Sequence, residues 1–393
     1  MRLLYFTPLL STVGGQERTL TDKANYLVSQ GHEVLFVTYE HEGALAYPLD
    51  TRVSHVDIHC HFFSLYRLPF WRRPIELLRL KRNFRNTLGG LLSQYRPDVI
   101  VVPIPNTENF LWDVMKVAHH TPVVIESHLA HGKAVIQRGL TEKWLYWLES
   151  PERALRKARL LITLTQGDAT CWRMEGLSAV KIIPNPLTCY PPSLVASPSP
   201  ARIICVGRLT AQKRFDRMID AFAIIAHKFP EWHIDIYGEG EEKSALTKQI
   251  ANRSMTGRIR LMPPTTDIYA EYQRSRFFML SSDFEGFGLV IVEAMVCGLP
   301  VVATDCPYGP SEIIEDGTTG LLAKMDTHDL AQKMEWMIAH KEERRQMGMK
   351  ARQAAARYRK EVVMPMWEQA YLQVASTKTT TSFRATGRPT VGW

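Results

Sequence analysis

The chain has 393 residues, 45% of them hydrophobic, which is material for two domain cores. Its 48 Lys+Arg against 40 Asp+Glu leave a net charge of +8, so an anionic partner is expected. No apolar run reaches the roughly 18 residues that cross a bilayer, and the six cysteines are scattered without a Cys-x2-Cys pair, which excludes a zinc ribbon or a disulfide framework and points to reduced thiols in a cytosolic protein.

Residues 2–6 form the first predicted strand, and Thr7-Pro8 ends it too soon for a signal-peptide core. Gly14 and Gly15 follow, before a helical stretch. Backbone without side chains can approach a diphosphate closely there; equally, the pair can make a plain turn whose Glu17 stabilises the helix start. The spacing is not Gly-x-Gly-x-x-Gly, which argues against a dinucleotide cofactor. A second strand is predicted over 33–38. Next, Arg67, Arg72, Arg73, Arg79, Lys81, Arg82 and Arg85 crowd one segment, opposed only by Glu76. Leu77, Leu80, Phe84, Leu88 and Leu91 recur there at helical spacing, with Phe70 and Trp71 in front. One reading is a helix that covers a sheet with its leucines and turns its arginines to water. The other is a basic amphipathic helix lying on an anionic membrane surface, which the arginines and Trp71 favour. Nucleic acid fits less well, since no aromatics interleave along a basic groove and no nucleic-acid fold signature occurs.

Further strands are predicted over 98–102, 123–127 and 160–164. His128 stands at the end of the second of these, with His131 as its rival for a role in a site. The proline-dense stretches 184–193 and 197–200 forbid helix or central strand and mark a domain boundary. Strands resume over 202–206, 233–237, 258–262 and 276–281. The alternation of strand and helix predicts an α/β protein with parallel sheets covered on both faces. Two doubly wound domains are expected, over 1–185 and 186–360. A last helix is expected around 367–372, within about 361–375, and the Thr- and Ser-rich residues 376–393 read as a disordered tail.

The strand over 276–281 leads into Asp283-Phe284-Glu285-Gly286-Phe287-Gly288-Leu289-Val290-Ile291-Val292-Glu293. An apolar helix is predicted from near Phe287 to Gly298, its C-cap. Glu285 then lies in the turn after the strand, and Glu293 about two turns into the helix. The helix start would offer the amides of Phe287, Gly288, Leu289 and Val290 to a phosphate. The flanking carboxylates would accept hydrogen bonds from hydroxyls, which suits a ligand with sugar rings beside phosphates. Taken alone, the pair could be a helix-start acid and a partner of a surface lysine. Arg208 and Lys213 follow the strand over 202–206. A guanidinium grips phosphate bidentately and an ammonium acts as a point charge beside it; taken alone they could be two surface cations at a strand end. No Asp-x-Asp occurs to hold Mg²⁺ or Mn²⁺.

The spacing of Glu285 and Glu293 resembles the Glu-x7-Glu motif of family 4 retaining glycosyltransferases of the GT-B fold. Val206-Gly207-Arg208-Leu209 with Lys213, Ile236-Tyr237-Gly238-Glu239-Gly240, Ala294-Met295-Val296-Cys297-Gly298-Leu299-Pro300 and Gly309-Pro310-Ser311-Glu312 follow the same family's order, from about residue 202 to 329. The first half, with Gly14-Gly15-Gln16-Glu17, matches more loosely, and Pro263-Pro264 stand where the family usually has a glycine. The resemblance implies two doubly wound domains facing across a cleft, with the acceptor held by the first and the nucleotide-sugar by the second. It implies that Glu285 orients sugar hydroxyls, Glu293 binds the ribose, His128 contacts the donor sugar, and Arg208 and Lys213 neutralise a departing nucleoside diphosphate without a metal. No protein nucleophile is required.

The expected activity is retaining transfer of a hexose or N-acetylhexosamine from a nucleotide-sugar to a lipid-linked or polysaccharide acceptor at the membrane surface. The resemblance is closest to bacterial enzymes that build surface polysaccharides, many of which use a UDP-sugar. No cofactor beyond that donor is expected. The alternatives are a sugar-nucleotide 2-epimerase of the same architecture, and a non-catalytic relative that binds a glycan or a partner enzyme.

Overall fold

The computed structural model describes residues 1–12, 14–104, 108–131, 151–187, 189–191 and 201–382. Its chain divides into two compact units. One comprises Met1–Leu164, Ala169–Ile183 and the residues from Met364; the other comprises Thr165–Asp168 and Pro184–Val363.

The first unit is built on a seven-stranded sheet of β1 (Arg2–Phe6), β2 (Glu33–Thr38), β3 (Ser54–Asp57), β4 (Val99–Ile104), β5 (Val123–Ser127), β6 (Leu160–Thr163) and β7 (Val180–Ile182). Their order is β3-β2-β1-β4-β5-β6-β7, with every pairing parallel. β4 and β5 are buried along their whole length, as near-continuous Val and Ile require of strands covered on both faces. The helix Arg73–Tyr95 lays Leu80, Phe84, Leu88 and Leu92 on Leu4, Phe6, Val37 and Val102 of the sheet. Its leucines are therefore a sheet cover. The terminal helix Lys360–Ser382 buries Val363, Met364, Trp367, Ala370, Tyr371 and Val374 at i, i+3 and i+4 spacing. It extends past the expected end near 375, because a helix nucleated by such a stripe propagates at little cost into flanking polar residues. The remainder of the expected tail, 383–393, lies outside the described residues, as do 192–200 of the expected linker.

The second unit carries a six-stranded sheet of β8 (Arg202–Val206), β9 (His233–Tyr237), β10 (Ile259–Met262), β11 (Phe277–Leu280), β12 (Val301–Thr304) and β13 (Gly320–Ala323). The order is β10-β9-β8-β11-β12-β13, again wholly parallel. Ile203, Cys205, Ile234, Ile236, Phe277 and Met279 meet Met218, Phe222 and Met334 of the covering helices in one core.

In both sheets the strand order reverses beside the first strand, between β1 and β4 and between β8 and β11. The crevice beyond the carboxyl ends of the strands at such a reversal is where open α/β sheets bind ligands. The loops after β8 and β9 interlock. Gly207 N–H donates to Tyr237 O at 3.0 Å and Leu209 N–H to Glu239 O at 2.8 Å. A Cβ at Gly238 would collide with the Gly207 carbonyl oxygen, and one at Gly240 with that of Leu209. This close approach explains the Gly-x-Gly of that turn. Gly238→Ala is expected to lower stability by about 1–3 kcal/mol, read as a fall in the urea midpoint with an unchanged slope; an unaltered midpoint would mean the loops do not interlock.

Candidate active site

Two loops meet at the reversal in the second unit. After β8, residues 207–210 lead into a short 3₁₀ turn, Ala211–Lys213, closed by Arg214 at φ +48°. The Lys213 side chain folds back over Gly207 and its Nζ donates to Glu285 Oε1 at 2.6 Å. Glu285 arrives on the loop after β11. Ser282 Oγ donates to the same Oε1 at 2.6 Å, while the Ser282 carbonyl accepts from Thr304 Oγ1 at 2.7 Å. Glu285 N–H donates to Pro307 O and its own carbonyl accepts from Tyr308 N–H, at 2.8 and 3.1 Å. Asp283 N–H reaches Gln212 O and Gln212 Nε2 reaches Phe284 O, both within 3.0 Å. Asp283 itself is gripped by Arg214 and by Arg217, whose Nη2 lies at 2.7 Å.

Glu285 is thus held through its backbone, one carboxylate oxygen and both neighbouring loops. It is 6% exposed. Its second oxygen, Oε2, makes no hydrogen bond among the described residues. A carboxylate has about four acceptor positions, so one whole oxygen stands open to a hydroxyl donor. Burial, and after it the Glu285 charge, pushes the neighbouring Cys306 thiol up to about 12. Ser282 was not singled out from sequence: a serine at a strand end has no signature until the fold turns its hydroxyl onto a carboxylate.

The apolar helix spans Leu289–Val296, two residues later than expected at its start. Gly288 takes the left-handed conformation at φ +95°, and that breaks helical geometry before Leu289. Phe287 is buried against the edge of Tyr358, and a Cβ on Gly309 would collide with the Phe287 carbonyl. Of the four amides expected at a helix start, only those of Leu289 and Val290 belong to its first turn. Glu293 is buried rather than paired with a surface lysine; Tyr272, fully buried, donates its hydroxyl to Glu293 Oε2 at 3.4 Å. Burial, then the charge of Glu293, raises that phenol well above its usual range. Arg208 is exposed and unpaired among the described residues.

In the first unit, Gly14 caps the helix Gly15–Ser29 with extended backbone, and the Glu17 carboxylate folds back to it. A Cβ at Gly15 would meet nothing within 4 Å. His128 stands at the end of β5 with its side chain buried, its backbone N–H on Ile104 O at 2.9 Å and its Nε2 2.9 Å from Glu126 Oε2. Its rival His131 is tied elsewhere, 3.0 Å from Glu175 and edge-on to Trp172. Burial alone would raise the Glu126 carboxyl, but Lys23 and His128 outweigh it and hold it at about 2. Burial, with Lys23 close by, pushes the His128 imidazole down.

Residues 14–188 match the family described as glycosyl transferase 4-like domain, and residues 191–354 match glycosyl transferases group 1. The chain belongs to the GT-B glycosyltransferases. An uncharacterized glycosyltransferase of Haemophilus influenzae is 24% identical over 93% of this chain and 98% of its own length. The amylovoran biosynthesis glycosyltransferase AmsD of Erwinia amylovora is 32% identical, over 42% of this chain and 46% of AmsD. Among solved structures, a TarM variant of S. aureus in complex with Fondaparinux, alpha-GlcNAc-glycerol and UDP shares the fold with a TM-score of 0.75. It is 15% identical, covering 94% of this chain and 99% of that one.

Within this glycosyltransferase the Lys213–Glu285 ion pair ties the loop after β8 to the loop after β11. Lys213→Met leaves a nearly buried carboxylate without its cation, at an expected cost of about 2–3 kcal/mol. Adding Glu285→Gln should recover part of that loss, because the orphaned charge is gone. Strictly additive losses in denaturant melts would show that the two groups do not interact.

Proposed function

We propose that this glycosyltransferase moves a hexose or N-acetylhexosamine, with retention, from a UDP-sugar to a lipid-linked or polysaccharide acceptor at the cytoplasmic face of a membrane. The observation that carries the reading is Glu285 Oε2, an open carboxylate oxygen fixed beside Lys213 at the strand-order reversal. A ring hydroxyl of the donor sugar donates to it. Lys213 Nζ keeps two further N–H donors for the diphosphate, and the unpaired Arg208 guanidinium adds a bidentate grip. The Leu289 and Val290 amides complete the phosphate contacts, Glu293 accepts from the ribose, and Phe287 and Gly288 shape the turn between them. Gly14, Gly15 and His128 are the first unit's contribution to donor binding. The first unit takes the acceptor and the second the nucleotide-sugar.

In this mechanism the acceptor hydroxyl attacks the anomeric carbon on the face from which the diphosphate departs. The bond from that carbon to the phosphate oxygen breaks, the new glycosidic bond forms, and the acceptor proton passes to the leaving phosphate. Arg208 and Lys213 stabilise the charge that develops on the diphosphate, so no metal is called for. The UDP in the TarM complex and the amylovoran biosynthesis named for AmsD support the choice of nucleotide and of acceptor class.

The membrane assignment rests on the segment before and along the helix Arg73–Tyr95. Phe70, Trp71, Ile75 and Leu78 are 62%, 63%, 75% and 51% exposed, an apolar patch at helical spacing on the face away from the core. Arg67, Arg72 and Arg82 are exposed around it. The remaining cations are committed: Lys81 and Arg85 to the buried Asp113, Arg79 to Glu76 at 2.6 Å, and Arg73 to the Leu68 carbonyl at 3.0 Å. Insertable aromatics ringed by arginines suit an anionic lipid interface. Among the described residues no helix is long and apolar enough to cross a membrane.

The decisive experiment is thermal unfolding with UDP, GDP and ADP in separate samples, followed by transfer assays with Glu285→Ala. UDP at about a hundred times its dissociation constant should add roughly 2.7 kcal/mol, and the variant should lose on the order of a hundredfold or more in transfer while keeping its fold. No response to any nucleotide, or an undiminished rate in the variant, would overturn the assignment. For the membrane, Arg67→Glu, Arg72→Glu, Arg82→Glu and Trp71→Ser together should abolish sedimentation with phosphatidylglycerol vesicles at low salt. Unchanged sedimentation would refute that surface.

A further inference from the structure

Beneath His128 lies a closed polar cluster, buried inside the first unit. Lys23, from the helix Gly15–Ser29, is 1% exposed; Glu126, Tyr5 and Tyr371 are 0% exposed. Glu126 is its hub. Its Oε2 accepts from Lys23 Nζ and from His128 Nε2, and its Oε1 accepts from the Tyr371 hydroxyl, which in turn accepts from Tyr5 at 3.0 Å. Trp367 lays its ring 3.7 Å under the Lys23 ammonium. The terminal helix therefore supplies both the aromatic floor and one of the donors, although it lies more than two hundred residues away in sequence from β5.

The charges in this cluster decide the state of the histidine. Lys23 and Glu126 already neutralise each other, so a protonated His128 would be a second buried cation facing a single carboxylate. The imidazole is neutral. Its Nε2 carries the hydrogen, because the partner of that nitrogen among the described residues, Glu126 Oε2, is an acceptor. Its Nδ1 then holds a lone pair. That atom is buried and has no hydrogen-bond partner among the described residues. An unpartnered buried acceptor, on a ring held at 3% exposure, is unusual in a folded protein and points to a partner that arrives from outside. What it accepts is an O–H or N–H donor.

We propose that Lys23, Glu126 and Tyr371 are positioning residues that lock His128 as the Nε2–H tautomer, so that Nδ1 receives a hydrogen bond from a hydroxyl of the sugar substrate. His128 thereby acts as a neutral acceptor that orients the sugar, and neither gives nor takes a proton during transfer. This rests on the donor-sugar role given to His128 above. It adds the tautomer, the direction of the hydrogen bond and the residues that impose both.

The test has one readout that needs no substrate. In histidine-¹⁵N-labelled protein, with the signals assigned by comparison with His128→Asn, Nε2 of His128 should appear protonated and Nδ1 unprotonated at neutral pH. An imidazolium, or the opposite tautomer, would overturn the proposal even if the protein transfers sugar. The second readout compares two charge-neutral cores. Lys23→Met/Glu126→Gln keeps an acceptor for Nε2–H, whereas Lys23→Met/Glu126→Leu removes it. With both folded by circular dichroism, the Leu core should have at least tenfold lower kcat than the Gln core and a mixed tautomer population. Equal kcat in the two cores would reduce the cluster to a structural role. Should a double variant fail to fold, Tyr371→Phe, which removes one donor to Glu126, is expected to lower kcat severalfold without moving the midpoint of nucleotide binding; an unaltered kcat would count against the proposal. A protein with the expected tautomer and no transfer from any sugar nucleotide would refute the catalytic reading while leaving the tautomer assignment in place.

Discussion

A carboxylate with almost no access to water must be neutralised, and the second unit solves this for Glu285 with Lys213 and Ser282 on a single oxygen. Removing an ion from water is expensive unless geometry and hydrogen bonds compensate. Here the compensation needs two loops from different strands, β8 and β11, in one fixed relation. The hydrogen bonds between residues 212–213 and 281–285 supply that relation, and the Arg214–Asp283–Arg217 network holds it from the other side. The open oxygen of Glu285 is a by-product of this arrangement: the stabilising groups all occupy Oε1, so Oε2 is preorganised with no reorganisation left for the moment of binding.

The glycines of the second unit follow from the same crowding. Where parallel strands end together and their loops must cross, backbone meets backbone without room for a Cβ. Gly238, Gly240 and Gly309 each stand against a carbonyl oxygen, and Gly288 turns the chain through a conformation that shortens the helix by two residues at its start. Sequence periodicity saw an unbroken apolar run there. It could not see that Gly288 adopts positive φ, since glycine is compatible with either hand.

The helix Arg73–Tyr95 shows how one segment satisfies two patterns. Its leucines cover the sheet, as helical spacing required. Its cations and those just before it divide by partner: Asp113, buried on the neighbouring helix Glu108–Val117, draws Lys81 and Arg85 inward, and Arg67, Arg72 and Arg82 remain at the surface. Counting positive charge along the chain could not make that division, because Asp113 is distant in sequence and its depth is a tertiary property.

Much of this protein is determined by its sequence alone. Alternating β-branched runs and amphipathic helices dictate parallel α/β sheets, because a strand that is apolar on both faces has to be covered on both. The positions of Arg208, Lys213, Glu285 and Glu293 relative to the predicted strands place each just beyond the carboxyl end of a strand or in the helix that follows. The pairings were left to the tertiary structure. Which oxygen of Glu285 is occupied and that Tyr371 from the terminal helix meets Glu126 from β5 depend on separations of 72 and 245 residues, and which of His128 and His131 keeps an unpartnered nitrogen depends on the groups that the fold packs around each. Hydrogen bonds act over about 3 Å, so only a completed core can bring such groups into range and decide among them.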